Sequence, residues 1–145
     1  MSNLIIKNAE LPQELSAIQS VRQAVFQAEQ GVEPELDFDG KDETSEQIIA
    51  YIDGKSVGTA RIRYLNDKIA KIERLAVLPT ARGQGIGQQI MEKAVDIAAK
   101  NNIEEVVIHA QEYVMGLHKK LGFEPEGEIF EEAGIPHVKM RKKLR

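Results

Sequence analysis

The sequence lacks several features that mark common classes of protein. Its 145 residues include no cysteine, which excludes disulfides, thiolate metal ligands and cysteine nucleophiles. The three histidines do not follow the H-x-x-x-H or H-x-x-E-H spacing of helical zinc sites, so we expect no metal ion. A net charge of −4 at pH 7 disfavours a protein that binds nucleic acid through a broad basic face. We therefore expect neither a metal-dependent nor a nucleic-acid-binding protein.

Long apolar runs are also missing. No stretch approaches the length of a membrane span. The apolar residues near the start form a run that is too short for a signal peptide and that follows no cationic segment. We therefore expect a cytoplasmic protein with no membrane partner.

The composition that is present fits one globular domain. Hydrophobic residues make up 42% of the chain and charged residues 29%, which is ordinary for a globular protein. A chain of this length buries about two-thirds of its unfolded surface, and this one shows no repeat, low-complexity tract or linker. We expect a single domain over residues 1–145. The oligomeric state stays open, with a homodimer as one alternative.

The most informative stretch is a strand, a glycine-rich turn and a helix between Lys71 and Lys100. Apolar residues alternate before the turn and then recur at helical spacing, at Ile86, Ile90, Met91, Ala94, Ile97 and Ala98. The turn carries Arg82 and glycines whose missing side chains let an anion approach the backbone. Free N–H groups and the helix dipole favour an anion at the start of a helix. We therefore predict a diphosphate site here.

The spacing of the glycines can be compared with two known loops that bind the diphosphate of a nucleotide. A Walker loop needs Lys and then Ser or Thr after its last glycine, whereas Gly87 is followed by Gln88 and Gln89. A dinucleotide-binding turn needs G-x-G-x-x-G and an acidic residue at the end of the following strand, and the sequence has G-x-G-x-G without that residue. Neither of these two nucleotide-binding loops is therefore expected.

The order of elements predicts a mixed sheet covered by helices. The patterns indicate strands at residues 4–7, 47–52, 56–65, 68–77, 106–110, 127–130 and 137–140. They indicate helices at 11–30, from 86 to the Asn101-Asn102 pair and at 113–121, which makes the order β-α-β-β-β-α-β-α-β-β. Asp53-Gly54 predicts a tight hairpin. The strand–helix–strand unit around the glycine turn predicts a right-handed crossover with parallel pairing.

Arg82-Gly83-Gln84-Gly85-Ile86-Gly87 matches the Q/R-x-x-G-x-G/A signature of the GNAT superfamily of N-acetyltransferases, and the sequence resembles that superfamily elsewhere too. LHKKLGF at 117–123 is similar to its FYxKLGF helix. RQAVFQAEQGV at 22–32, VGTARIR at 57–63, HAQ at 109–111 and EEAGIPH at 131–137 resemble the ElaA-like branch. The resemblance implies an α/β (α+β) fold. Its mixed, mostly antiparallel sheet would have about six to seven strands, with a parallel pair that splays apart at the cofactor site.

The resemblance also implies a co-substrate, acetyl-coenzyme A, whose acetyl group moves directly to a primary amine of a small molecule or peptide. It implies contacts with this cofactor through the main chain of the central strand and through the glycine loop, at Leu75, Ala76, Val77, Arg82, Gly83, Gln84, Gly85, Ile86, Gly87 and Gln88. Such a transfer needs a base, because a lysine-like amine with a pKa of about 10.4 costs about 4–5 kcal/mol to neutralise at pH 7. It also needs a proton for the departing sulfur.

Two residues are predicted to be catalytic. Glu73 is the favoured base, because it lies two residues before Leu75 and would share its face near the gap. The alternative for Glu73 is a surface carboxylate paired with Lys71 or Arg61. His118 occupies the position where the superfamily usually has a tyrosine that protonates the thiolate, and an imidazolium can donate near neutral pH. The alternative for His118 is a histidine on the helix surface.

Three further residues near these motifs are considered for catalysis. Tyr113 is a poor replacement for the missing tyrosine, since on one continuous helix it would point about 140° away from His118. His109 lies in the middle of its strand and is expected to be packed or hydrogen-bonded rather than catalytic. His137 is the alternative base or a ligand of the acceptor, or else a half-buried structural histidine.

The acceptor site is assigned by the resemblance, to Arg22, Phe26, Glu29, Arg61 and His137. Arg22, Phe26 and Glu29 share one helix stripe, a pattern that equally describes a helix boundary without function. The acidic stretch 33–46 is either a solvated loop followed by the start of a helix or strand, or a negative lip that attracts a cationic amine. An alternative function is a non-catalytic module that binds or senses acyl-coenzyme A, in which His118 marks the loss of the usual proton donor.

Overall fold

One sheet of seven strands organises the computed structural model, which describes residues 3–145. In chain order the strands are β1 (Leu4–Asn8), β2 (Glu46–Ile52), β3 (Lys55–Tyr64), β4 (Ile69–Val77), β5 (Glu105–Gln111), β6 (Glu124–Glu132) and β7 (Ile135–Lys143). They lie side by side in the order β1-β2-β3-β4-β5-β7-β6, and of these strands only β4 and β5 pair in parallel. The predicted mixed, mostly antiparallel sheet is therefore confirmed.

Helices connect and cover the strands. They are α1 (Leu15–Arg22), which continues into a π-helix (Gln23–Glu29), α2 (Pro34–Asp37), α3 (Ile86–Lys100) and α4 (Met115–Lys120), with 3-10 turns at Pro79–Ala81 and Glu112–Val114. The first helix begins at Leu15 rather than at residue 11, because residues 11–14 form turns. The predicted order of elements is confirmed, and α2 is an addition within the acidic stretch.

α1 packs against one face of the sheet and α3 against the other. The larger core cluster joins apolar residues of the sheet to the buried stripe of α3, formed by Ile86, Ile90, Met91, Ala94 and Ala98. A smaller cluster joins the α1 and π-helical segments to β4 through Val21, Val25, Phe26 and Ala76. Gly58 on β3 lets α3 approach closely, because a Cβ atom there would lie 2.7 Å from Cδ1 of Ile90.

Two tight turns join neighbouring strands. The predicted hairpin at Asp53-Gly54 is confirmed, since both residues have positive φ, at 48° and 82°, and connect β2 to β3. Ala133 and Gly134, with φ of 52° and 75°, connect β6 to β7 in the same way. Two-residue turns with positive φ match the twist of the paired strands. The second turn places Glu132 in the wall of the cavity between β4 and β5.

β4 and β5 pair over a short stretch and then diverge. Their register joins Ile69 to Glu105, Ala70 to Val106 and Lys71 to Val107. No pairing between the two strands follows within the described structure. The expected splay of the parallel pair is therefore confirmed. Because the facing edges lose their hydrogen-bond partners beyond this point, backbone N–H and C=O groups face the gap.

A β-bulge at Arg74 and Leu75 reverses the alternation of β4 beside this gap. Arg61 on β3 pairs with Glu73, and Thr59, two residues away on the same face of β3, pairs with Ala76. Glu73 and Ala76 are three residues apart on β4, whereas regular pairing would give two, so β4 has one extra residue here. Arg74 adopts a φ of 59° within the bulge. As a result Leu75 packs against the core under α3, whereas Ala76 faces α1. The prediction that Glu73 shares a face with Leu75 is therefore wrong.

Candidate active site

A cavity of about 740 Å³ occupies the gap between β4 and β5. Its walls come from both strands, the glycine-rich loop, α4, the β6–β7 turn and the segment between the π-helix and residue 41. The volume lies within the range of about 300–1,000 Å³ that small-molecule pockets have. Every residue predicted for cofactor contacts lines the cavity except Gln84, and so do His109, His118 and His137. The predicted diphosphate loop and the three histidines therefore border one continuous space.

The loop between β4 and α3 has the geometry of an anion site. Gly83 and Gly85 adopt φ of 81° and 76°, which glycine reaches without strain. A Cβ atom at either position would meet nothing within 4 Å, so the space over both residues is open. No residue that the structure describes accepts a hydrogen bond from the backbone amides of 83–88. This set of free donors at the start of a helix fits a bound anion.

Arg82 is held at the edge of this loop by Glu29. Its Nη1 and Nη2 donate to the two carboxylate oxygens at 2.7 and 2.6 Å, and its Nε donates to the carbonyl of Val77 at 2.9 Å. The hydrogen bonds from Arg82 lower the pKa of Glu29. Glu29, assigned to the acceptor site by the resemblance, thus contacts the predicted diphosphate loop instead.

Gln30 makes the corresponding contact on the other side of the gap. Its amide group exchanges hydrogen bonds with that of Gln111 at 3.0 and 3.3 Å, and its Nε2 also lies 3.4 Å from the hydroxyl of Tyr113. Gln111 ends β5, whereas Arg82 follows β4. The end of the π-helix therefore bridges the two diverging strands.

His118 lies on α4 with its ring in the cavity wall and is only 4% exposed. It packs edge-on against Phe123, with ring centroids 6.0 Å apart, and its buried Nδ1 has no hydrogen-bond partner among the described residues. Burial lowers the pKa of His118 to about 4. The premise of an imidazolium donor at neutral pH is therefore wrong. A catalytic role for His118 stays a prediction, in which the neutral ring would be the proton donor.

Tyr113 also belongs to the cavity wall, and it is 73% exposed. It lies on the 3-10 turn Glu112–Val114, whereas α4 begins at Met115. Tyr113 and His118 therefore do not lie on one continuous α-helix, and the expected separation of about 140° between them does not apply. Sequence reasoning therefore set aside a phenol that reaches the same cavity and can donate a proton.

Glu73 lies in the cavity wall among basic side chains. Its Oε1 accepts hydrogen bonds from Nη2 and Nε of Arg61 at 2.6 and 3.1 Å and from Nε of Arg63, while Nζ of Lys71 lies 3.4 Å from Oε2. Burial alone would raise the pKa of Glu73, but the nearby cations outweigh burial and lower it to about 2. The pairing with Arg61 and Lys71 that the alternative expected is present, although the side chain is only 9% exposed and is not a surface carboxylate. A carboxylate so stabilised in its ionised form binds a proton weakly, so the geometry does not favour Glu73 as the base.

Arg22 and Arg61 are fully buried and do not line the cavity. Arg22 pairs with Asp37 and Asp42 at 2.9 and 2.5 Å. Arg61 pairs with Asp39 and Asp42 at 2.8 and 3.2 Å, and its hydrogen bonds lower the pKa of Asp39. Contrary to the expectation of acceptor contacts, the two arginines hold the acidic stretch against α1 and β3. Glu33, Glu35 and Glu43 are exposed and β2 begins at Glu46, so the expected solvated segment before a strand is confirmed in part. The carboxylates of Asp37, Asp39 and Asp42 are instead paired with arginines, so they do not form a free negative lip.

Phe26 and His137 are the residues assigned to the acceptor site that do line the cavity. His137 is 6% exposed, and its Nδ1 donates to the carbonyl of Ile135 at 2.7 Å. Its Nε2 lies 3.7 Å from Oε2 of Glu132. The ring is therefore held through Nδ1 and largely buried, as a structural histidine would be, and it also borders the cavity.

Within residues 3–145 no three histidine or carboxylate side chains converge as a metal ion requires. No helix there has the length and apolar character needed to cross a membrane.

Known proteins share this sequence pattern. Residues 13–144 match the family described as Acetyltransferase (GNAT) domain. The chain is 36% identical over 143 residues to YjcF of Bacillus subtilis, described as an uncharacterized N-acetyltransferase, and the match covers 98% of this chain and 99% of YjcF. It is 32% identical over 136 residues to the protein ElaA of Escherichia coli, covering 90% of this chain and 88% of ElaA.

Solved structures share the fold. The crystal structure of Escherichia coli ElaA has a TM-score of 0.84 at 28% identity, covering 99% of this chain and 100% of that one. An acyl-CoA N-acyltransferase from Pseudomonas aeruginosa has a TM-score of 0.83 at 28% identity, covering 98% and 99%. The chain belongs to the GNAT acetyltransferase family and is an acyltransferase. Its similarity to ElaA confirms the predicted branch.

Proposed function

We propose that the protein is an N-acetyltransferase that moves the acetyl group of acetyl-coenzyme A directly to a primary amine of a small molecule or peptide. The observation that carries this proposal is the cavity between β4 and β5, which connects the free amides of residues 83–88 to polar side chains of β5 and β7. Direct transfer requires donor and acceptor to meet in one such space. The name of the Pseudomonas aeruginosa neighbour, an acyl-CoA N-acyltransferase, supports the class of donor.

The residues present fit this donor. Open space over Gly83 and Gly85 admits a diphosphate to the amides, and the start of α3 adds a favourable dipole. Arg82 can balance part of the diphosphate charge if it exchanges Glu29 for the phosphate oxygens. The unpaired edges of β4 and β5 offer hydrogen bonds to a pantetheine arm, and the main chain of residues 75–77 borders the cavity where a thioester carbonyl needs a donor. The donor supplies an activated acyl group.

The acetyl group can pass directly from sulfur to nitrogen, with no covalent bond to the enzyme. A base takes a proton from the amine, the amine nitrogen bonds to the acyl carbon, and the carbon–sulfur bond breaks. The sulfur leaves as a thiolate and takes a proton from a side chain or from water. His118 and Tyr113 both line the cavity and carry a hydrogen that can be donated.

Thiol release measured with 5,5′-dithiobis(2-nitrobenzoate) over a panel of primary amines tests this reaction. Release that needs both acetyl-coenzyme A and an amine would support the enzyme. Calorimetric binding of acetyl-coenzyme A without release over the whole panel would favour the non-catalytic module. If acetyl-coenzyme A did not bind, both the enzyme and the non-catalytic module would be excluded.

Gly85→Asp tests the site separately. The new carboxylate would face the diphosphate, so we expect binding of acetyl-coenzyme A to be abolished while circular dichroism stays native. Gly54→Asp is the matched control, because that glycine has a φ of 82° and equally open surroundings on the β2–β3 hairpin. Unchanged affinity in Gly85→Asp would exclude the loop from the site.

A further inference from the structure

We propose that His109 is the base that takes the proton from the acceptor amine and that Glu132 orients it. This inference rests on the proposed function, because it assigns a role within an amine acetylation. From the sequence His109 is expected to be packed or hydrogen-bonded rather than catalytic. In the structure His109 is hydrogen-bonded to Glu132 of β6, but its ring also lies in the wall of the cavity with 28% of the side chain exposed.

Strand register places His109 across the gap from Glu73. β4 and β5 last pair at Lys71 and Val107, and Glu73 and His109 each lie two residues further along their strands. Since alternate residues of a strand share a face, both side chains project from the α1 face of the sheet. His109 therefore stands on the β5 side of the opening that Glu73 borders on β4.

Glu132 sets the tautomer of His109. Nδ1 of the ring lies 2.9 Å from Oε1 of the carboxylate. An ionised carboxylate only accepts hydrogen bonds, so Nδ1 carries the hydrogen, and in the neutral form of the ring the lone pair is on Nε2. No described residue occupies Nε2 with a hydrogen bond. A free ring nitrogen whose orientation is fixed by a carboxylate is the arrangement that a general base needs.

The β6–β7 hairpin holds this carboxylate in place. Glu132 pairs with Ile135 across the turn, and its Oε2 lies 3.7 Å from Nε2 of His137. The ring of Phe130 contacts both imidazoles, with centroids 5.1 Å from His109 and 6.0 Å from His137. His137 is the more buried of the two rings, and its Nε2 is directed at the carboxylate. Because its side chain is 28% exposed, against 8% for His137, His109 is the histidine whose Nε2 is more accessible to an acceptor.

Charge favours His109 over Glu73 as the proton acceptor. Protonation of Glu73 would remove the carboxylate that Arg63 and Lys71 share, and no other carboxylate of the described residues pairs with either cation. Protonation of His109 instead completes an ion pair with Glu132. A proton from an incoming ammonium is therefore better accommodated on His109.

The proposed step balances. The acceptor ammonium gives one proton to Nε2 of His109, the neutral nitrogen bonds to the acyl carbon, and the carbon–sulfur bond breaks. The second proton of that nitrogen passes to the departing thiolate, directly or through water, so that an amide and a thiol are formed. The imidazolium, balanced by Glu132, returns its proton to solvent, which reaches the partly exposed ring.

His109→Ala tests the base, with the panel amine that the wild-type protein acetylates fastest as the acceptor. We expect kcat to fall by about 100-fold or more, while the KM for acetyl-coenzyme A stays within about 3-fold. Added imidazole should restore part of the lost rate, because it replaces the missing base without restoring a contact. A wild-type rate, or a folded variant that imidazole does not rescue, would overturn the proposal.

Glu132→Gln tests the positioning role. The amide oxygen can still accept from Nδ1 but cannot balance the imidazolium, so we expect kcat to fall by about 10-fold with little change in KM. Glu131→Gln is the matched control, because Glu131 is exposed and adjacent strand residues point to opposite faces. Equal rates in the two variants would remove Glu132 from the proposal.

A spectroscopic test needs no acceptor. Recorded at a pH high enough to deprotonate an imidazolium, nitrogen chemical shifts of ¹⁵N-labelled histidine should show a hydrogen on Nδ1 of His109 and none on Nε2, and the Glu132→Gln variant should shift that signal. A hydrogen on Nε2 in the wild-type protein would overturn the proposal. Failure of the wild-type protein to bind acetyl-coenzyme A is a different result, which would remove the proposed function itself.

Discussion

Glu29 and Arg82 form a two-point ion pair at 2.6 and 2.7 Å that joins the end of the π-helix to the predicted diphosphate loop. The guanidinium group best placed to balance a diphosphate is thus already engaged by a carboxylate. A bound donor would compete with Glu29 for Arg82.

Glu29→Gln should therefore bind acetyl-coenzyme A more tightly. An exposed ion pair contributes about 1 kcal/mol or less, so we expect the Kd to fall by up to about 5-fold, and by less at high salt. Calorimetry at two salt concentrations measures the change, with the exposed Glu33→Gln as the control. Weaker binding would instead show that the ion pair positions Arg82 for the donor.

Glu73→Gln should mainly reduce stability. The change leaves Arg63 and Lys71 without their shared carboxylate, and uncompensated charge in a largely buried cluster is costly. We expect the free energy of unfolding in urea to fall by about 2–3 kcal/mol, and the exposed Glu124→Gln should change it little. A variant with wild-type stability but no turnover would support Glu73 as the base at the expense of His109.

The stability of the protein should fall in two steps as the pH is lowered. The pKa of His118 in the folded protein, about 4, lies below its ordinary value of 6.5, so the unfolded chain takes up the proton first. The stabilising contribution of the neutral ring is present above pH 6.5 and is lost as the pH falls towards 4, by about 2–3 kcal/mol. Glu73, whose pKa falls from 4.5 to about 2, adds a loss below pH 4.5.

Urea unfolding at pH 8, 6, 5 and 4 measures the first step. His118→Phe should flatten the decline, because the variant has no ring to protonate there. An equally steep decline in the variant would assign it to other groups.

Tyr113→Phe and His118→Phe separate the two candidate proton donors. A phenol gives a proton to a thiolate more readily than a neutral imidazole does, so we expect Tyr113→Phe to lower kcat by about 10-fold or more and His118→Phe to lower it less. The Kd for acetyl-coenzyme A should stay near the wild-type value in both. A larger loss in His118→Phe would favour the assignment made from the sequence.

Much of the fold could be predicted because its signals are local. Alternation, helical spacing and the Asp53-Gly54 dipeptide each act over a few neighbouring residues, and the structure follows them closely. The glycine loop is contiguous too, so its free amides and open backbone could be expected from residues 82–88.

The side chains around the cavity could not be assigned in the same way. The bulge at Arg74 and Leu75 changes which face Glu73 occupies, and it depends on the register with β3. The buried partners of Arg22 and Arg61 come from the acidic stretch, whose charges alone suggested an exposed segment. Each of these outcomes depends on contacts that form only when distant segments pack.

The sequence by itself determined the element order, the glycine-rich turn and the family, because periodicity, glycine placement and a short motif are properties of consecutive residues. Only the tertiary structure decided which ionisable groups are free to react. Glu73 is held by cations from a neighbouring strand, whereas Glu132, 23 residues from His109, leaves one imidazole nitrogen open to the cavity. Proton affinity and access depend on such neighbours in space, and spacing along the chain does not specify them.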